Sequence, residues 1–189
     1  MGEIGKKWLI GGYEWLQILS VLLVALVGCF AFLGTLVTVD GSSMYPTLEH
    51  GDMLLVRRVA CTPETGDVVI LRAEHSYSGQ PLVKRVIATG GQTVFIDYDA
   101  NTVTVDGVVL EEHYLNFEDG DPMERHPWLM EAYANRAFTV PEGCVFVCGD
   151  NRNNSGDSRG SELGMVDQRY LMGEAVAVIW PFDRLDFVE

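Results

Sequence analysis

Lysine is nearly absent beyond the N-terminus. Of three lysines in 189 residues, Lys6 and Lys7 stand at the start and only Lys84 follows, against ten arginines. Positive charge is scarce altogether: 13 Lys and Arg face 27 Asp and Glu, for a net charge of −14 and a pI near 4.5. Glu3, Lys6, Lys7 and Glu14 cancel, so the imbalance belongs to Asp40 onward, with 11 cations and 25 carboxylates. This excludes nucleic-acid binding, which neutralises phosphate with Lys and Arg, and docking by charge on an anionic bilayer. Cysteine is sparse too. In CVFVC, Cys144 and Cys148 would lie roughly 13 Å apart along a strand, beyond reach of a disulfide. Cys-x3-Cys with no second pair nearby is also a poor zinc site. Cys61 is left without an evident partner, so reduced, structural thiols are expected, with no metal and no cofactor. His50, His75, His113 and His126 sit in polar contexts, and no Gly-x-Ser-x-Gly accompanies them.

Charge is also missing from residues 18–37, ILSVLLVALVGCFAFLGTLV, where only Ser20 and Thr35 are polar. A helix needs roughly 20 such residues to cross the hydrocarbon core. Trp8, Tyr13 and Trp15 precede the run as an aromatic belt would, and Lys6 and Lys7 place the N-terminus in the cytoplasm by the positive-inside rule. The run is longer than a signal-peptide core and lacks a small-residue cleavage site. Cys29 inside it, after Leu26-Val27-Gly28, resembles a lipoprotein box, but apolar residues continue beyond it, so it reads as a membrane-buried thiol. The expected organisation is a cytoplasmic segment 1–17, a transmembrane anchor 18–38 and an extracytoplasmic domain 39–189 in the cell membrane.

That domain reads as mainly β. Short Val-rich runs alternate with turns at 52–60, 67–72, 81–89, 93–99, 102–105, 144–150 and 174–180. Asp106-Gly107 between two of them is a hairpin signal. No run beyond the anchor keeps a helical period over three turns, so a mostly antiparallel β-domain with little helix is predicted. Residues 111–136 are acidic, lack a period and read as an irregular excursion whose charge is solvated.

Three stretches carry chemistry. In VDGSSMYPTLEHGD, residues 39–52, two serines follow the apolar run directly. In LVKRVI, Lys84 has apolar neighbours on both sides, and Leu82 and Val86 share its face of a strand. Burial lowers a lysine's pKa, and neutral lysine is a general base, which arginine cannot be. Residues 149–159, GDNRNNSGDSR, contain no apolar side chain but many hydrogen-bonding groups, a composition suited to a buried polar network if every member is satisfied.

Together these stretches resemble bacterial type I signal peptidases of the short, single-anchor form. GSSMYPTL at 41–48 resembles the family's nucleophile box and KRVIATGG at 84–91 its lysine box. GDNRNNSGDSR resembles its most specific signature, TGDVVIL at 65–71 an intervening box, and Gly164, Val166, Gly173, Ala175, Trp180 and Pro181 the usual end. The resemblance implies a membrane-bound serine endopeptidase that removes signal peptides from exported preproteins. Ser43 is the implied nucleophile, its backbone N–H an oxyanion donor, and Lys84 the general base. Ser155 is implied to orient the lysine amine, and Asp157 and Arg159 to form a structural ion pair, with Asp150, Asn151 and Arg152 as scaffold. Val39, Met44, Leu82 and Val83 are implied to border shallow substrate pockets, and Met44 and Tyr45 are expected to dip into the lipid interface. Where some members carry a second oxyanion serine, this sequence has Gly41. Two other readings share these features: a non-catalytic, membrane-tethered β-domain that binds exported proteins, and a specialised Ser–Lys peptidase for surface or pilus proteins.

Overall fold

The apolar run ends its helix early. In the computed structural model, α1 (Glu3–Leu33) stops at Leu33, and Gly34–Thr38 forms strand β1. The last five residues assigned above to the anchor therefore belong to the β-domain. The reason is local. Gly34 ends the run of strong helix formers and lies so close to its neighbour that a Cβ there would sit 3.1 Å from Leu55 Cδ1. Thr35, Val37 and Thr38 are β-branched and suit a pleated surface. β2 (Met53–Arg57) supplies the backbone partners, with Leu36 opposite Leu55. The structure describes residues 3–58, 62–72, 79–115, 122–125, 130–131 and 133–188, with backbone alone for 3–11 and 29–33. Cys29, Cys61, His75 and His126 thus lie outside the described side chains. Residues 12–27 are all exposed. Among the residues whose side chains are described, no helix is long and apolar enough to cross a membrane.

The remaining strands are β3 (Val68–Arg72), β4 (Pro81–Thr89), β5 (Thr93–Asp97), β6 (Thr102–Val105), β7 (Val108–Val109), β8 (Ala137–Thr139), β9 (Cys144–Cys148), β10 (Val166–Asp167), β11 (Leu171–Trp180) and β12 (Asp186–Phe187). They form two sheets, one in the order β1-β2-β11-β3-β4-β9-β10 with β12 on β11, the other β7-β6-β5-β8. Every pair of named strands is antiparallel. The chain is mostly β with a single α-helix among the described residues, as the strand-and-turn pattern predicts. Asp106 and Gly107 both take positive φ, 51° and 81°, the requirement of the two-residue hairpin turn.

Alternation along β3 assigns each face of the large sheet to its own core. Val68 and Ile70 pack with Leu54, Val56, Val83 and Val178 under the segment that carries Val39, Met44 and Leu48. Val69 and Leu71 pack on the other side with Val86, Val145 and Val147. The small sheet closes over Ile87, Ala88 and Phe146. β4 is the hinge of this arrangement. It pairs with β3 over residues 81–85 but with β9 only over residues 85–89. Among the described residues, 81–84 therefore have one open side.

Candidate active site

The segment after β1 is a closed loop. Val39 N–H donates to Asp52 O and Gly51 N–H to Val39 O, so its two ends meet. Met44 and Leu48, four residues apart and joined by a backbone hydrogen bond of 2.9 Å, are buried and nail the loop to the sheet. Arg184 reaches across to Asp52 and Glu49 and ties the C-terminal segment to the loop's end. Gly41, at φ 99°, takes a left-handed turn that a side chain would strain. Ser43 is thereby held over β4.

Lys84 comes up from β4 to meet it. The side chain is buried, at 2% exposure, and Nζ lies 2.6 Å from Ser43 Oγ. Burial lowers the amine's pKa to about 8, and the charge of Asp157 opposes that fall. A neutral amine at this distance can accept the hydroxyl proton of Ser43.

The 149–159 segment packs against both groups. Asp150, Arg152, Ser155, Asp157, Ser158 and Arg159 are all buried. Arg159 holds Asp157 through two hydrogen bonds of 2.8 Å, and Gly149 N–H donates to the same carboxylate at 3.0 Å. Burial raises the Asp157 pKa, but Arg159 outweighs it, so the carboxyl titrates below its usual range. Ser158 Oγ accepts from Val147 N–H and fastens the segment to β9. Ser155 lies beside Gly149 and the Ser43 carbonyl, where a Cβ on Gly149 would collide with both. Its Oγ is buried, makes no hydrogen bond within 3.5 Å among the described residues, and faces the Asp157 carboxylate, whose charge it helps to hold. The bond to the lysine amine that the resemblance implies is thus not formed here; Nζ is turned to Ser43 instead.

The four pocket residues do not come together as one group. Val39, Met44 and Val83 share a single buried cluster, whereas Leu82, one residue along the strand, packs on the opposite face with Val69 and Val86. Met44 is 1% exposed, so it serves as a core anchor and not as a lipid-dipping side chain, because the turn after Ser43 points it at the sheet.

Sequence reasoning passed over several supports. Arg85 binds both oxygens of Asp150, at 2.8 and 2.7 Å, and Asp150 also accepts from Thr47 at 2.5 Å. One buried carboxylate therefore spans the strand of Lys84 and the loop of Ser43. The guanidinium of Arg85 lies 3.8 Å from the centroid of the Tyr114 ring. Glu112 is not solvated as its acidic neighbourhood suggests: it is buried, paired with Arg152 and hydrogen-bonded by Tyr114. Gly149 is another support, a glycine between a strand and a polar network. Cys144 and Cys148 are free, and burial pushes the Cys148 thiol up to about 12, which keeps it inert. Among the described residues no group of His, Cys, Asp and Glu is arranged to hold a metal ion.

Fold and site define a class: a β-domain that holds a serine alcohol against a desolvated lysine amine, with a buried carboxylate–arginine network behind them. Comparison with known proteins gives the family. Residues 12–180 match the model for signal peptidase, peptidase S26. A probable signal peptidase I-1 of Synechocystis sp. is 35% identical over 77% of this chain and 71% of its own. Signal peptidase I T of Bacillus subtilis is 34% identical over 89% and 84%. Signal peptidase IB of Staphylococcus aureus is 31% identical over 92% of each. A solved signal peptidase I from Enterococcus faecalis is 32% identical, with a TM-score of 0.48 over 61% of this chain and 98% of that one. The chain belongs to the signal peptidase family, peptidase S26.

Proposed function

We propose that this chain is a membrane-anchored serine endopeptidase that removes signal peptides from exported preproteins, with Ser43 as nucleophile and Lys84 as general base. The observation that carries the reading is the 2.6 Å contact between Ser43 Oγ and an amine whose pKa burial lowers to about 8. Lys84 Nζ takes the Ser43 proton as Oγ attacks the scissile carbonyl. The Ser43 backbone N–H donates to the developing oxyanion. The lysine then gives its proton to the departing amine, and the acyl group stays on Oγ as an ester. Water, deprotonated by the same amine, attacks that ester and restores the alcohol. Neither cofactor nor metal enters these steps.

An extended substrate suits the open side of β4. Val86 bonds to Asp67 and Gly66 on the β3 side. Backbone groups alternate in direction along a strand, so Val83 presents its N–H and C=O to the open side. A signal peptide can add there as a strand, one residue from the lysine. Membrane attachment is supported by α1. Residues 15–33 carry no charge, and at about 1.5 Å per residue they extend about 28 Å, close to the ~30 Å of hydrocarbon. The cytoplasmic N-terminus and external catalytic domain rest on Lys6 and Lys7.

The test is incubation of the detergent-solubilised protein with a preprotein that carries an Ala-x-Ala site, the new N-terminus being read by sequencing. Cleavage after that site by the parent chain, and none by Ser43→Ala or Lys84→Arg, is the expected result. Undiminished cleavage by either variant refutes the assignment, and a binding domain would keep its affinity in both.

A further inference from the structure

The Ser43 N–H belongs to the same peptide plane as the Ser42 carbonyl. In a trans peptide the two point in opposite directions, so whatever holds Ser42 O also aims Ser43 N–H. Two groups hold it. Tyr45 N–H closes a turn onto Ser42 O at 3.1 Å, and Asn151 Nδ2 donates to it at 3.2 Å. Ser42 O can only accept, which settles that the amide nitrogen of Asn151 faces it. Asn151 also binds the other side of the nucleophile, its backbone N–H donating to Ser43 O at 3.1 Å. Three residues on, Asn154 Nδ2 donates to Ser42 Oγ at 2.9 Å. One short segment therefore grips Ser42 and Ser43 at three separate oxygens.

We propose that Asn151 is a positioning residue for oxyanion stabilisation: its side-chain amide fixes the Ser42–Ser43 peptide plane and directs the Ser43 N–H to where the oxyanion forms. This rests on the peptidase reading given above. Fixing the plane removes a rotation that attack would otherwise have to freeze, and a hydrogen bond at the carbonyl polarises the peptide so that its N–H donates more strongly. Asn154 braces the same residue through its side chain.

Two variants test it. Asn151→Asp keeps the shape and loses the donor, and Asn151→Ala removes the side chain without adding charge. Each is assayed on a signal-peptide substrate for kcat and KM across pH, for melting temperature, and for the affinity of two ligands. One ligand is the cleaved signal peptide, which needs no oxyanion donor. The other is its C-terminal aldehyde, to which the Ser43 alcohol adds so that the aldehyde oxygen takes the oxyanion position. The expected result is a fall in kcat of about 10-fold or more, less than the ~10²–10³ of deleting an oxyanion donor outright. Aldehyde affinity falls in parallel, whereas KM, cleaved-peptide affinity, melting temperature and the acid limb of the pH profile stay as in the parent. Parental kcat in both variants overturns the proposal. Equal losses of aldehyde and cleaved-peptide affinity, or a melting point lowered enough to explain the loss, reduce Asn151 to a structural prop. A shifted acid limb assigns its effect to Lys84 instead. Ser43→Ala, run alongside, separates this inference from its foundation: cleavage by that variant sinks the peptidase reading itself, whereas its inactivity beside fully active Asn151 variants sinks only the role of Asn151.

Discussion

Lys84 is buried in a place where an ammonium is expensive, and the proposed role as general base draws on that expense. With a pKa of about 8, the amine is neutral in about a tenth of molecules at pH 7, against roughly one in three thousand for a solvated lysine. The rate of cleavage, kcat/KM, is therefore expected to rise with pH along an acid limb centred near 8 and then level off; a limb near pH 6 would assign the base to another group. The same shift has a stability consequence. Between pH 8 and the ordinary lysine value of 10.5 the unfolded chain carries more protons than the folded one, so this group's contribution to stability rises with pH across that window. Below it, the folded state holds an ammonium that water would solvate better, at a penalty on the order of 3 kcal/mol. Lys84→Met, which fills the space without charge, is expected to abolish cleavage and raise the free energy of unfolding at pH 7 by about 1–3 kcal/mol. Chemical denaturation reads it, and a less stable variant would mean that the amine is an asset to the fold. Gly149 is a residue with no freedom beside the site. An added methyl would meet Ser155 and the Ser43 carbonyl at once, and a displacement of the nucleophile by about 1 Å costs on the order of 10²-fold in rate. Gly149→Ala is expected to lose that much kcat; parental kcat would show that the loop yields.

Among the elements, β4 does two jobs along nine residues. Its far half pairs with β9 and its near half with β3, the two overlapping at Arg85, and the near half keeps an open side beside the lysine. If substrate adds there, Val83→Pro removes the one N–H directed at it while leaving the β3 side intact, since proline fits an unpaired strand edge. KM is expected to rise about 3–10-fold, the scale of one hydrogen bond of ~1 kcal/mol; an unchanged KM would place the substrate elsewhere. This strand was fully legible in the sequence: PLVKRVIAT is the element residue for residue, because a run rich in β-branched residues ends at a Gly-Gly turn. β1 was not. GTLVT continues an apolar run without interruption, and hydropathy cannot separate an apolar helix from a strand that follows it directly; only the β-branched residues hinted at the change. That Ser43 and Lys84 would meet was legible only from the boxes taken together, since a turn serine or a strand lysine alone is common. Glu112 and Tyr114 were hidden, since acidic residues in an aperiodic stretch usually face water. The clamp on Ser42 was hidden as well, because it depends on which backbone oxygens two loops present to each other.

At the scale of the whole molecule, the boundary between helix and domain decides how the β-domain can be separated from α1. The sequence alone places that boundary at 38, the structure at 33. A chain that begins at Gly34 keeps β1, and with it five residues of ladder on β2 and the packing of Val37 against the cluster beneath Met44. A chain that begins at Val39 loses both. β2 then becomes the edge of the large sheet, and the loop that carries Ser43 loses the strand that feeds it. Both are expected to fold, since the three cores lie wholly beyond β1 apart from Val37. The shorter form is expected to be less stable by about 1–3 kcal/mol, the worth of one large apolar side chain taken from water. It should also lose kcat, because one end of the Ser43 loop is no longer held in the sheet. Urea denaturation and cleavage of a short peptide substrate, measured on both truncations, decide the matter. Equal stability and equal kcat would mean that β1 is an ornament of the anchor and that Val39–Asp52 closure alone sets the nucleophile.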